Sequence, residues 1–256
     1  MEKLNWKKIL IFGLPILFAV SLAITLAACM AEAGRDVGDS IIGDSESKKS
    51  DKIPVTVTPD PSFSEGLTYV SRGDGTCTVS GLGGCREANV TVPEKSPDGD
   101  TVTHIGTSAF LGSTTVRTVT LPDGLKSIGD YAFYESSIES VIIPSSVESI
   151  GEGAFSSCRS LRAINVDSGN SRYSSLEGVL FSKDKSRIIC YPSGKQGEGY
   201  TIRYGVSVIE PAAFLNCVYL ESVSYNGQQK DWDKIRIGAN NTSLTSLTVK
   251  FLNSIK

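Results

Sequence analysis

A single histidine, His104, stands among the 256 residues of this chain. A Ser-His-Asp or Cys-His site would have to be built on it. The six cysteines include no Cys-x-x-Cys pair, so with one histidine there is no zinc spacing either. Carboxylates are scattered, with no pair placed for acid/base work on sugars. Lys and Arg number 25 against 28 Asp and Glu, a net charge of −3. That balance carries no overall basic excess for a polyanion, and nucleic acid is not expected as a partner. No metal, cofactor or catalytic residue is expected, and the chain reads as a protein that is not an enzyme.

What the sequence does contain begins at the amino terminus. Lys3, Lys7 and Lys8 precede an apolar run from Ile9 to Ala28, which ends in Leu26-Ala27-Ala28-Cys29. A basic start, an apolar stretch and small residues before a cleavage point are the marks of an export signal. The cysteine makes the pattern resemble a bacterial lipoprotein signal, since only a thiol can carry the thioether-linked diacylglyceryl group. Residues 1–28 are expected to be removed and Cys29 to be lipidated. The loss takes away three lysines and one glutamate, a net +2, so −3 becomes −5. Membrane attachment would then rest on acyl chains, each buried methylene contributing about 0.8 kcal/mol. Met30 follows the cysteine where some bacteria place an aspartate for inner-membrane retention, which points to the outer membrane. Residues 29–57, rich in Gly, Ser, Asp and Lys, read as a flexible tether. A coil of that length would hold the folded part on the order of 30 Å from the lipid.

The next feature is a repeat. Ile105-Gly106 is followed after two residues by Ala109-Phe110, and the same spelling recurs at Ile128-Gly129 with Ala132-Phe133 and at Ile150-Gly151 with Ala154-Phe155. A fourth copy, Ile209 with Ala213-Phe214, has Glu210 in place of glycine. The starts differ by 23 and then 22 residues, a period that means stacked coils instead of one globular core. After each Ala-Phe comes an apolar set with strand alternation: Val116, Val119, Leu121; Ile138, Val141, Ile143; Leu161, Ile164, Val166; Leu220, Val223, Tyr225; and a last set, Leu244, Leu247, Val249. A second pair, such as Leu125 with Ile128, predicts a second short strand, and Ala-Phe a single helical turn. The phenylalanines should stack in a continuous column, since no coil can bury its own ring.

Ahead of the first repeat, Leu67–Val70 and Thr76–Val79 flank a turn with Asp74-Gly75, which predicts a hairpin covering the open end. Between the third and fourth copies about 36 extra residues, with Gly178-Val179-Leu180-Phe181 and Ile188-Ile189-Cys190-Tyr191-Pro192 around a charged turn, predict a hairpin insertion. The expected divisions are a signal peptide at 1–28, a lipidated tether at 29–57, a capping hairpin region at 58–102 and a solenoid at 103–256. The solenoid carries the insertion at about 167–205 and a closing cap.

The Ile-Gly-x-x-Ala-Phe repeat with a cysteine three residues on, the Gly-Val-Leu-Phe insertion and the Tyr-Asn-Gly to Trp232 ending resemble the BspA-like (Treponema-type) leucine-rich-repeat surface lipoproteins. Ser113 and Ser136 stand where that family's cysteine is expected. The resemblance implies a leucine-rich-repeat solenoid of parallel strands at the bacterial surface, attached to host extracellular matrix, host cells or neighbouring microbes.

Candidate sites follow from the repeat. His104 aligns with Ser127, Ser149 and Val208, none a catalytic equivalent, and reads as a solvated surface residue. Cys158 and Cys217 share one repeat position and read as small buried residues, whereas Cys77 and Cys85 could close a short disulfide loop in an exported protein. Arg72-Gly73-Asp74 sits at the expected hairpin tip, where the turn itself already demands glycine. Strand positions pointing outward are Thr118, Thr120, Ser140, Ile142, Ala163, Asn165, Ser222 and Ser224, continued by Ser246 and Thr248. This small, hydroxylated face suits a protein or glycan ligand better than a deep pocket. The expected role is adhesion at the cell surface or outer membrane. The alternative is a periplasm-facing envelope scaffold or cell-wall glycan binder.

Overall fold

The computed structural model of the chain describes residues 63–252. Cys29, the export signal and the tether lie outside the described residues. β1 (Thr68–Ser71) and β2 (Thr76–Gly81) pair antiparallel as the predicted hairpin. In its loop the positive φ values fall on Gly73 and Gly75 and not on Asp74. Asp74 instead accepts hydrogen bonds at Oδ1 from the Thr76 backbone N–H (3.0 Å) and hydroxyl (2.6 Å), which lower its carboxyl pKa.

From there the chain winds through β3 (Asn89–Thr91), β4 (Thr101–Ile105), β5 (Thr118–Thr120), β6 (Ser127–Ile128), β7 (Ser140–Ile143), β8 (Ser149–Ile150) and β9 (Ala163–Val166). Strands β3-β5-β7-β9 form one parallel sheet, while β4, β6 and β8 extend the hairpin into a sheet ordered β1-β2-β4-β6-β8. Equivalent repeat positions lie side by side: Val119 pairs with Val141, which pairs with Ile164, and Ile105 pairs with Ile128, which pairs with Ile150.

The Ala-Phe segment supplies a third ladder. Ser108, Phe110 and Gly112 donate their N–H groups to Asp130, Ala132 and Tyr134 of the next coil at 2.7–3.0 Å. Tyr131, Phe133 and Glu135 repeat the pattern onto Glu152, Ala154 and Ser156. The short helical turn expected here takes the form of successive i→i+3 turns, such as Ala109 N–H to Gly106 O and Ser113 N–H to Phe110 O. Positive φ recurs two residues before and after each phenylalanine: Ser108 and Gly112, Tyr131 and Glu135, Gly153 and Ser157, Ala212 and Asn216. Left-handed residues cannot continue a helix, so the backbone stays flat enough for every other N–H to reach the neighbouring coil.

This close stacking explains the glycine of the motif. A Cβ on Gly129 would lie 2.6 Å from the Thr107 nitrogen, and one on Gly151 would lie 2.4 Å from the Asp130 nitrogen. Coil-to-coil contact, and not an unusual φ, excludes a side chain there. Pro122 and Pro144 end their strands in turns closed by Leu125 and Val147 N–H groups.

Phe110, Phe133 and Phe155 stack with centroids 4.8 and 5.3 Å apart and planes within 10°. The column is then interrupted and resumes as Tyr191 on Phe214, at 5.0 Å. The interruption is a wall. The inserted segment folds as β10 (Tyr173–Leu176), β11 (Val179–Ser182) and β12 (Arg187–Cys190), antiparallel to one another, and β12 then pairs in parallel with β14 (Val208–Ile209). Both faces of β11 are buried. Leu180 and Cys190 belong to the core of the first coils, whereas Val179, Phe181, Ile188 and Tyr191 belong to that of the last ones.

The segment read as an insertion therefore contains a coil of its own. Ile188 pairs with Ile209, and Tyr191 N–H donates to Ala213 O as each phenylalanine does to the next coil's alanine. Its segment from isoleucine to ring, Ile188 to Tyr191, is two residues shorter than Ile150 to Phe155, with Ile189 alone where the first three copies have Gly-x-x. That omission leaves room for Glu210 at the glycine position of the next coil, where it meets Arg187, whose Nε lies 2.6 Å away. β8 has no strand partner beyond β6, and the Ile150 N–H is received by the Tyr173 hydroxyl at 2.8 Å.

β13 (Gly199–Ile202), β15 (Ser222–Tyr225) and β17 (Val249–Phe251) form the last parallel sheet, with β16 (Arg236–Ile237) beside β14. The final set needs a correction. Val249 pairs with Val223 and Phe251 with Tyr225, so the register is shifted by two residues from the Leu247 and Val249 alignment. Leu244 sits in a helix, Thr242–Thr245, which uses more chain than the turn it replaces.

Candidate binding surface

Alternation along the strands turns valine, isoleucine and leucine inward and leaves two outward rows on the first parallel sheet. One row runs Asn89, Thr118, Ser140, Ala163, and the other runs Thr91, Thr120, Ile142, Asn165. Thr120, Ser140, Ile142 and Asn165 are exposed, and Ile142 at 63% is the most exposed large apolar side chain there. Thr118 is half-buried and donates from Oγ1 to Asn89 Oδ1 at 2.9 Å. Ala163 is half-buried because the tip of the β10–β11 hairpin abuts it. The Gly178 carbonyl accepts the Ile164 N–H at 2.8 Å, and a Cβ on Gly178 would lie 2.9 Å from the Ala163 Cβ.

That tip divides the surface. Six of the eight expected residues lie together on β5, β7 and β9, while Ser222 and Ser224 lie on β15 in the separate sheet beyond the hairpin. Register places Thr201 and Lys250 beside Ser224, so the far end carries a charge that the two-residue shift concealed. Asn89 and Thr91 of β3 also join the rows, beside Thr118 and Thr120.

The other expected sites fall elsewhere. Cys77 and Cys85 are buried free thiols, not a bridge, in this structure. Cys77 points inward from β2 to within 3.6 Å of the Asp100 carbonyl, while Cys85 lies in the following turn against Gly66. Cys158, Cys190 and Cys217 are also buried free thiols. Burial raises Cys158 to about 11 and Cys217 to about 12, so both remain neutral thiols at physiological pH. His104 lies half-buried on β4 with Thr103 Oγ1 2.7 Å from its Nδ1, and partial burial and then Arg72 lower its pKa. Arg72, Gly73 and Asp74 are exposed at the hairpin tip.

Two concavities accompany the strand surface. A cleft of about 500 Å³ opens where β8 fails to pair, lined by Ile150, Phe155, Tyr173, Arg187, Glu210 and Pro211 among others. Its charges are mixed, and the Arg187–Glu210 ion pair crosses it. A smaller groove of about 260 Å³ lies at the strand starts of the first sheet. Among the described residues no group of three His, Cys, Asp or Glu is arranged to hold a metal, and no helix is long and apolar enough to cross a membrane.

Several solved structures are similar to this chain. A leucine rich cell surface protein from Faecalibacterium prausnitzii is 19% identical over 73% of this chain and 75% of its own, with a TM-score of 0.44. A leucine-rich repeat protein from Eubacterium ventriosum is 20% identical over 73% and 70%, also at 0.44. The T. pallidum leucine rich repeat protein is 17% identical over 75% and 98%, at 0.28. No curated relative matches the sequence. The family model for the BspA type leucine rich repeat region matches residues 89–196 in six copies. The stacked rings and coil-to-coil ladders of residues 89–196 are thus those of a segment similar to the BspA type leucine rich repeat region.

Proposed function

We propose that this protein is a non-enzymatic, lipid-anchored adhesion module of a bacterial envelope, binding a protein or glycan partner at the cell surface. The observation that carries the reading is the pair of outward rows on β5, β7 and β9, an open surface of threonine, serine and asparagine around one exposed isoleucine. Such a surface offers hydrogen-bonding groups without a pocket and fits a broad macromolecular ligand. Host matrix or host cells as the partner, and the outer membrane as the location, rest on the family resemblance and on the Leu-Ala-Ala-Cys29 signal. Residues 1–28 would be the removed leader and residues 29–57 the tether between lipid and solenoid.

Three measurements test this. Cys29→Ser should abolish metabolic labelling with palmitate and move the protein from the detergent phase to the aqueous phase. Protease added to intact cells should remove the repeat domain. Its survival would instead place the domain in the periplasm, as an envelope scaffold or cell-wall glycan binder. Thr120→Lys with Ser140→Lys should abolish capture of the matrix ligand, and unchanged capture would exclude this surface.

A further inference from the structure

The groove at the strand starts combines features that the strand surface lacks. The residues just before β5, β7 and β9 are Arg117, Glu139 and Arg162. They are fixed in line by Glu139 N–H to Arg117 O (2.8 Å) and Arg162 N–H to Glu139 O (2.9 Å). Adjacent strands lie about 4.8 Å apart, so the two arginine backbones are roughly 10 Å from one another. Arg159, one turn earlier, lines the same groove. Its backbone is gripped by the next coil: Gly194 donates to Leu161 O at 2.9 Å, and a Cβ on Gly194 would lie 2.4 Å from Arg159 O. The opposite side carries Gln196 and Tyr219, and the Tyr219 ring is 48% exposed.

All three arginines are exposed, and none is among the ion pairs of the described residues. Glu139 lies between them without forming such a pair. The groove thus concentrates three cations against one anion on a chain whose net charge is −3. A guanidinium binds sulfate or carboxylate through two parallel N–H bonds. An exposed tyrosine ring offers an apolar plane to the C–H face of a sugar. Glu139 and Gln196 can accept hydrogen bonds from sugar hydroxyls. Acidic groups alternating with hydroxyl donors at disaccharide spacing describe a sulfated or uronate polysaccharide.

We infer that the groove between Arg117, Arg159, Arg162 and Tyr219 binds a linear anionic polysaccharide, at a site separate from the strand surface. The inference does not depend on adhesion through β5, β7 and β9.

The test uses the full-length chain in detergent, with heparin, hyaluronate, neutral dextran and polyglutamate as probes, titrated calorimetrically at two salt concentrations. Heparin should bind, dextran should not, and affinity should fall as salt rises. Arg117→Gln/Arg159→Gln/Arg162→Gln should weaken heparin binding roughly tenfold or more, from three lost charge-assisted contacts. A control with the same charge change elsewhere, Arg203→Gln/Arg236→Gln/Lys250→Gln, should change it less than about threefold. Tyr219→Ala should weaken heparin without changing the salt dependence. Because all these side chains are exposed, the thermal midpoints should match that of the parent. Equal losses in the two triple variants, no heparin binding at low salt, or a preference for polyglutamate would each overturn the inference. Binding to hyaluronate as strong as to heparin would assign the carboxylate, and weaker binding the sulfate.

Discussion

Removing one ring from the middle of the phenylalanine stack measures how strongly the coils depend on each other. Phe133 is 0% exposed and lies between Phe110 at 4.8 Å and Phe155 at 5.3 Å. Phe133→Ala deletes the ring and leaves a cavity between two coils that hold their spacing through backbone ladders, so collapse is resisted. The expected cost is about 3–5 kcal/mol, toward the upper end because stacking is lost on both sides. For a domain of this size that corresponds to a midpoint lowered by roughly 6–20 °C. Phe110→Ala should cost less, since Phe110 has one ring contact where Phe133 has two. Phe133→Leu, which keeps much of the volume, should recover more than half of the loss. Urea unfolding followed by far-ultraviolet circular dichroism reads the change as a lowered midpoint with the slope retained. A loss for Phe133→Ala under about 2 kcal/mol, or one no larger than that of Phe110→Ala, would refute the claim that neighbouring coils bury one another's rings.

Leu180→Ala and Phe181→Ala alter neighbouring residues that face different cores. Fluorescence of Trp232, packed 5.5 Å from Tyr225 in the second core, should shift far more for Phe181→Ala, and equal shifts would contradict the partition. Asn170 is buried, with its Nδ2 donating to Pro144 O and Val147 O and its Oδ1 accepting from Arg172 and Tyr173 N–H groups. Asn170→Ala should cost about 2–4 kcal/mol by urea unfolding, and Asn170→Asp should cost more because a carboxylate would face two carbonyls. Burial raises the thiols of Cys158 and Cys217 from 9.0 to about 11 and about 12. Their contribution to stability should therefore be complete below pH 9 and be lost as pH rises through 11 to 12. The native protein should resist iodoacetamide at pH 8, and rapid labelling of either cysteine would sink this.

The repeating part of the fold was legible because every coil solves one packing problem with the same residues. Gly129 and Gly151 avoid backbone contact, Phe133 and Phe155 fill the interior, and alternate Val141 and Ile164 close the sheet. What escaped was every place where a coil solves that problem differently. Tyr191 stands in for phenylalanine in a coil lacking the Gly-x-x element, so Ile188–Tyr191 read as part of an insertion, although pairing with Ile209 makes it a repeat. The Thr242–Thr245 helix shifts the last strand by two residues, which keeps the inward parity of Val249 and so left the alignment looking sound. The arginine groove could not be read from spacing, because Arg159 and Gln196 meet only after the wall folds back.

The wall strand β11 has consequences for how such a chain can grow. A bulkhead whose two surfaces serve two compartments lets each compartment gain or lose coils at its outer end while its seal stays intact. Lengthening this molecule calls for new coils at either extremity, and shortening it from within calls for keeping Val179, Leu180 and Phe181 in their alternating order.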